Sequence, residues 1–145
     1  MADHDERWVL NHLIEMCRDE EQALRYAAGH VQDSSVKELF VELASQRAQF
    51  AADLLPYAQR LGGAETADGT TRGLLHRRWV AMKEALVGHS DKRLITDAEH
   101  IEALALATYK EALEDVVPPT AREVIERQSA EIRLTHDRVQ ALLSH

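Results

Sequence analysis

The sequence predicts an all-α protein built as a four-helix bundle. Glycine and proline, which interrupt helices, number only six and three among 145 residues, whereas the strong helix formers Ala, Leu, Glu and Arg are common. Four long segments place apolar residues three and four positions apart, the spacing of an amphipathic helix. Short turn-forming stretches separate the first segment from the second and the third from the fourth, so each pair is expected to form an antiparallel hairpin.

The first hairpin is predicted to contain helices over residues 5–32 and 35–61. The apolar stripe of the first helix consists of Leu10, Leu13, Cys17, Leu24, Ala28 and Val31. Ser35 with Glu38 fits a capping box, in which side chains bond the free amides of the first helical turn. The stripe of the second helix consists of Val36, Phe40, Leu43, Arg47, Phe50, Leu54, Tyr57 and Leu61. Gly62-Gly63 is expected to end that helix.

A long connection follows, and it is predicted to contain a short fifth helix over residues 73–87. The apolar stripe of this helix consists of Leu75, Trp79, Met82 and Leu86. A helix of this length with turn-rich flanks is enough to travel the length of the bundle. The second and third long helices could then run parallel, which is the ferritin-like arrangement with one long crossover. A plain up-down-up-down bundle would not need so long a connection.

The second hairpin is predicted to contain helices over residues 91–116 and 119–143. Ser90 or Asp91 can cap the third long helix, and Pro119 suits the first turn of the last one. The third stripe consists of Ile95, Ala98, Ile101, Glu102, Ala105, Tyr109, Ala112, Leu113 and Val116. The last stripe consists of Ala121, Ile125, Gln128, Ile132, His136, Val139 and Leu143. The whole chain, residues 1–145, is thus expected to be a single domain.

Charge and composition disfavour several classes of partner. The formal net charge of −8 argues against binding to nucleic acid or to an anionic membrane surface. No apolar run is long enough to cross a bilayer, so no membrane partner is expected. The single cysteine, Cys17, cannot form an internal disulfide, and a cytoplasmic location is therefore expected.

Polar residues interrupt the apolar stripes at mid-bundle. Counting from the hairpin turns places Glu20, Arg47 and Glu102 at similar depths. Gln128 and His136 lie on the inward face of the last helix, one turn to either side of that level. Because a guanidinium cannot lose its charge, burying Arg47 requires acidic partners. The preferred interpretation is a structural layer of these five residues, in which the guanidinium bridges two carboxylates.

The alternative interpretation is an iron or manganese centre, for which the ligands would be Glu20, Glu99, Glu102 and His136. Ferritin-like di-metal proteins place a Glu on each of two helices and a Glu-x-x-His pair on each of the other two. Carboxylate and imidazole ligands suit iron and manganese. However, the chain contains no Glu-x-x-His, and Arg47 would put a permanent cation beside a dication. No catalytic residue and no cofactor are therefore expected.

Two leucines, Leu104 and Leu134, point away from the apolar stripes. Two interpretations stay open for them, packing against the crossover helix and contact with a second copy of the chain in a homo-oligomer. The sequence does not identify any other protein partner.

Several segments, taken together, carry a family resemblance. They are Leu10-Asn11-His12-Leu13-Ile14-Glu15 with Asp19, Gln46-Arg47 with Phe50 and Leu54, Leu61-Gly62-Gly63, Gly73-Leu74-Leu75-His76-Arg77-Arg78-Trp79, and then Glu99, Glu102, Tyr109, Ala112-Leu113, Gln128 and His136-Asp137. On these segments the chain resembles a family of bacterial ferritin-like four-helix-bundle proteins known mostly as a domain of unknown function. The chain departs from the family pattern at Glu20, where the family has glycine, and at Ala103, where it has aspartate.

The resemblance implies a fold and no particular reaction. We therefore expect a non-enzymatic ferritin-like bundle that acts as a structural or interaction module. A role in stress physiology is suggested by the fold alone. The alternative is a carboxylate-bridged protein that binds or oxidises iron or manganese.

Overall fold

The computed structural model describes residues 6–61, 90–115 and 117–144. Within these ranges the chain forms four α-helices and no strand, with α1 at Glu6–Ala28, α2 at Ser34–Arg60, α3 at Asp91–Glu114 and α4 at Pro119–Leu143. The predictions of an all-helical class and of four long helices are confirmed. The predicted fifth helix over residues 73–87 lies outside the described residues.

α1 ends at Ala28, four residues before its predicted end. Gly29, a poor helix former, follows, and its amide donates to the carbonyl oxygens of Arg25 and Tyr26, both at 3.1 Å. His30 Nδ1 donates to the Tyr26 carbonyl oxygen at 2.8 Å, and the two rings stack with centroids 4.3 Å apart. These bonds satisfy carbonyl groups of the last helical turn, so the helix stops although apolar residues continue the predicted stripe.

Asp33, and not the predicted Ser35, caps α2. One carboxylate oxygen of Asp33 accepts from the amides of Ser35 and Val36, at 2.8 and 3.1 Å, and from the Ser35 hydroxyl at 2.6 Å. A carboxylate interacts more favourably than a hydroxyl with the positive end of the helix dipole. The same bonds lower the pKa of Asp33, and the bond from the Ser35 hydroxyl is the largest cause.

Asp91 joins the two hairpins at one end of the bundle. Its two carboxylate oxygens accept from the amides of Gln32 and Asp33, at 2.8 and 2.9 Å. The amino-terminal ends of α2 and α3 therefore meet. Because Arg47 and Glu102 also meet near the middle of these helices, α2 and α3 run in the same direction.

Apolar side chains fill the interior between the four helices. α1 packs mainly on α2 and α3, and α4 packs mainly on α3 and α2. Towards one end the buried residues include Leu10, Leu13, Phe50, Leu54, Tyr109 and Ile125. Towards the other end they include Leu24, Phe40, Leu43, Leu94 and Val139. None of the helices formed by the described residues has the length and apolarity to cross a membrane.

Candidate functional site

Four polar side chains, one from each helix, lie in the interior between the two apolar regions. They are Glu20 of α1, Arg47 of α2, Glu102 of α3 and Thr135 of α4, and we call them the central network. Arg47 and Glu102 are 0% exposed, Glu20 is 3% exposed and Thr135 is 7% exposed. Each lies on a helical face that is otherwise apolar and buried, so its position on the helix directs its side chain into the interior.

The guanidinium of Arg47 lies between two carboxylates. Its Nε donates to Glu20 Oε1 at 2.8 Å, and its Nη2 donates to Glu102 Oε2. Its Nη1 donates to Gln46 Oε1, so all three nitrogen atoms of the side chain have an acceptor. The second oxygen of Glu102, Oε1, accepts from the Thr135 hydroxyl at 2.6 Å. Charge-assisted hydrogen bonds thus connect the four helices at one level.

Burial decides what this network contributes to stability. Removing a carboxylate and a guanidinium from water costs several kcal/mol per ion, and their attraction in the interior roughly repays that cost. The intact network therefore adds little net stability over an apolar core of the same volume. Loss of one member is different, because it leaves a charge buried without its partner.

A second set of hydrogen bonds joins Cys17, Tyr109, Gln128 and the backbone of Phe50. The Tyr109 hydroxyl donates to Gln128 Oε1 at 2.7 Å, and Gln128 Nε2 donates to the Phe50 carbonyl oxygen at 3.2 Å. Since this uses the single proton of the phenol, the thiol of Cys17 donates to the Tyr109 oxygen, with Sγ 3.4 Å away. Gln128 was predicted to be part of one polar layer. It belongs to this second set of hydrogen bonds and not to the central network.

The Cys17 thiol and the Tyr109 phenol are both neutral at physiological pH. The pKa of Cys17 is raised to about 12, mainly by burial and also by the charge of Glu20, while the Tyr109 hydrogen bond and the charge of Arg47 oppose the shift. Burial is also the main reason that the pKa of Tyr109 lies well above its ordinary value. Because the thiolate is the reactive form of cysteine, Cys17 acts as a buried core residue and not as a nucleophile.

Glu99 and His136 form a pair at the edge of the α3–α4 contact. His136 Nε2 lies 2.7 Å from Glu99 Oε2, and both side chains are partly exposed, at 15% and 19%. The exposed His100 lies 3.8 Å from the other oxygen of Glu99. Among the hydrogen bonds between described residues, none joins this pair to Glu20 or Glu102. The predicted layer of five residues is thus distributed over three groups.

The candidate metal ligands do not converge. Glu20 and Glu102 both face the guanidinium of Arg47, whereas Glu99 and His136 face each other. Across residues 6–61, 90–115 and 117–144, no three His, Cys, Asp or Glu side chains are grouped so as to hold a metal ion. A fixed positive charge fills the space between the two buried carboxylates, so these residues do not fit an iron or manganese centre.

Spacing along the sequence gave no sign of the contacts that two further residues make in the structure. Gln46 lies outside the apolar stripe of α2, yet its amide oxygen is an acceptor for Arg47. Asp91 was a candidate cap for α3, but Ser90 takes that role by accepting from the Arg93 amide at 3.3 Å. The carboxylate of Asp91 instead bonds the turn between α1 and α2.

Comparison with known families assigns the chain to one of them. Residues 6–115 match the family described as a domain of unknown function (DUF2383). The match covers about three quarters of the chain, including Glu20, Arg47 and Glu102, and it ends before α4. No curated protein matches the chain. The chain therefore belongs to the DUF2383 family.

Proposed function

We propose that this protein is a non-enzymatic, ferritin-like bundle that acts as a structural or interaction module in the cytoplasm. The direction of the helices supports the ferritin-like arrangement. Since α2 and α3 run in the same direction, α2 ends and α3 begins at opposite ends of the bundle. A bundle of two antiparallel hairpins with one long connection has this topology.

The position of Arg47 is the observation that carries the proposal. In a ferritin-like di-metal protein, carboxylates on facing helices hold the ions at the bundle centre. In this chain, carboxylates from α1 and α3 hold a guanidinium at that place. The centre of the bundle therefore serves to fix the four helices to one another, and function is assigned to the outer surface.

The chemistry of the interior agrees with a non-catalytic role. Cys17 and Tyr109 are two buried groups of kinds that can act as a nucleophile or an acid, and burial holds both of them protonated. Each is also committed to a hydrogen bond inside the core. Neither is presented to a surface from which a substrate could approach, since both are fully buried.

Metal content tests this proposal against the iron or manganese alternative. The protein is purified without chelator, equilibrated with Fe²⁺ or Mn²⁺, separated from free metal and measured by elemental analysis. We expect less than one ion per chain and no difference between the parent and Glu102→Gln. Glu131→Gln, which changes an exposed carboxylate, is the control for metal on the surface. Stoichiometric metal that Glu102→Gln loses and Glu131→Gln retains would overturn the proposal.

A further inference from the structure

The outer face of α4 carries a stripe of exposed residues at the spacing of a coiled-coil seam. The stripe consists of Arg127, Glu131, Leu134, Arg138 and Ala141, which are alternately four and three positions apart, and all are exposed. This spacing keeps side chains on one side of a helix, where they can face a second helix along its length.

Leu134 lies at the centre of this α4 stripe. This residue is 65% exposed. A single exposed leucine is common on protein surfaces and indicates nothing by itself. The charges that flank it give the second, independent observation, since Glu131 precedes it by one turn and Arg138 follows it by one turn. The order is acid, leucine, base.

This order is self-complementary in one orientation of two helices. When two copies of α4 pack antiparallel about a two-fold axis through Leu134, the two leucines meet at the centre. Glu131 of each copy then lies opposite Arg138 of the other, which forms two pairs of opposite charge. In a parallel arrangement, Glu131 would face Glu131 and Arg138 would face Arg138, and both contacts would be repulsive.

The bundle already holds Arg138 in place for such a contact. Its Nη1 donates to Glu42 Oε2 at 2.5 Å and its Nη2 donates to Glu42 Oε1 at 3.2 Å, across the α2–α4 boundary. The pair remains open to solvent, with the Arg138 side chain 49% exposed. A guanidinium that is already ordered loses less conformational freedom when a second carboxylate approaches.

We infer that two copies of this chain associate through the α4 stripe, antiparallel and with Leu134 at the two-fold axis. The contact is one helix wide with one leucine per copy, so the dimer is weak and reversible. This inference rests on the proposed role as an interaction module and names a second copy as the partner. The test of this inference measures association between copies, whereas the metal test measures bound ions. The failure of one proposal can therefore be told apart from the failure of the other.

Truncation of the central leucine tests the contact. We expect sedimentation equilibrium to show a monomer–dimer equilibrium for the parent across micromolar to millimolar concentrations. Leu134→Ala should weaken the dimer about tenfold or more, because it removes the apolar centre of the interface. Val41→Ala truncates the other large exposed apolar side chain of the described residues, lies on α2 and should leave the equilibrium unchanged. A parent that stays monomeric throughout, or an equal effect of both variants, would refute the inference.

Charge reversal tests the pairing of the helices. Glu131→Arg and Arg138→Glu should each weaken self-association, since each places like charges opposite one another in two places. An equimolar mixture of the two variants should associate again, because every opposed pair is then Arg with Glu. Glu126→Arg makes the same charge change at an exposed position away from the stripe and should have little effect. Circular dichroism confirms that each variant is folded. A mixture no more associated than its separate components would refute the antiparallel pairing.

Discussion

Arg47 shows how one buried side chain sets conditions for the residues around it. Its charge is permanent, so each residue that encloses it must offer an acceptor or be apolar. Glu20, Glu102 and Gln46 supply one acceptor for each guanidinium nitrogen. Thr135 then donates to the carboxylate oxygen of Glu102 that Arg47 does not use. The need of Arg47 for hydrogen-bond acceptors therefore involves side chains of all four helices.

Replacement of Arg47 by methionine should destabilise the bundle. Arg47→Met keeps most of the side-chain volume but leaves two buried carboxylates facing an apolar group, which should lower the free energy of unfolding by ~3–5 kcal/mol. Urea denaturation followed by circular dichroism measures the change. Arg138→Met is the matched control at an exposed ion pair and should cost less than about 1 kcal/mol. Equal effects of the two variants would show that burial does not govern the Arg47 contacts.

The sequence allowed part of this site to be predicted. A guanidinium at the centre of an apolar stripe requires acids nearby, and helical spacing points to Glu20 and Glu102 as residues at the right depth. Helical spacing does not determine side-chain conformation. On α4, Gln128 lies about two turns before Thr135, and His136 is the next residue after Thr135. Of these three residues, it is Thr135 that reaches Glu102. A hydrogen bond between neighbours in sequence, such as Gln46 with Arg47, leaves no periodic signal at all.

At the scale of the helices, side-chain acceptors mark where α2 and α3 begin. Asp33 accepts from the first amides of α2, and Asp91 accepts from the amides of Gln32 and Asp33 in the same turn. Asp91 thus holds the turn that contains Asp33, and Asp33 caps α2. This end of the bundle is held by backbone hydrogen bonds to side chains, and not by apolar contact alone.

Removal of the Asp91 carboxylate should loosen the turn between α1 and α2. We expect Asp91→Ala to lower the free energy of unfolding by about 1–2 kcal/mol, because two amides lose a charged acceptor. Hydrogen exchange should show a selective loss of protection at the amides of Gln32 and Asp33. Lys92→Ala, at the exposed neighbouring position, serves as the control. Unchanged protection of both amides in Asp91→Ala would contradict the contact.

The helices themselves were predictable and their ends were less so. Apolar periodicity over more than 20 residues leaves few alternatives to a helix, and each of the four predicted segments agrees with an observed helix to within four residues at either end. The end of α1 could not be predicted from its stripe, because Val31 is buried like a helical residue although it lies in the turn. Where Asp33, Ser34 and Ser35 stand together, propensity alone does not choose between possible caps. That choice depends on where Asp91 lies, a residue distant in sequence.

At the scale of the whole molecule, its acidic side chains link stability to pH. The pKa of Asp33 is lowered by its hydrogen bonds with Ser35 and Val36, and the pKa of Glu42 is lowered mainly by its hydrogen bond with Arg138. A carboxyl group whose pKa is lower in the folded state contributes stability above its unfolded pKa. That contribution is lost as the pH falls through the folded pKa, because the unfolded chain then binds more protons.

Acidification should therefore destabilise the protein, beginning near the ordinary carboxyl pKa values of 3.8 and 4.5 for these residues. We expect the midpoint of thermal unfolding to fall steadily from about pH 5 downwards. The double variant Asp33→Asn with Glu42→Gln should show a shallower fall over the same interval, since two of the linked protons are removed. Thermal melts at closely spaced pH values measure both slopes. Parallel curves for the parent and the double variant would contradict the assignment.

The placement of the two acids around Arg47 also sets an order in which the chain can fold. Glu20 is 27 residues away in sequence, within the same hairpin, whereas Glu102 is 55 residues away, in the other hairpin. The first acid can meet the guanidinium when α1 and α2 associate, and the second only when the hairpins dock. A docking displaced by one helical turn would enclose the cation with one of its two carboxylate acceptors missing, at a cost comparable to much of the stability of a small domain. Arg47 thus disfavours docking in the wrong register, because incorrectly docked hairpins separate more readily than correctly docked ones.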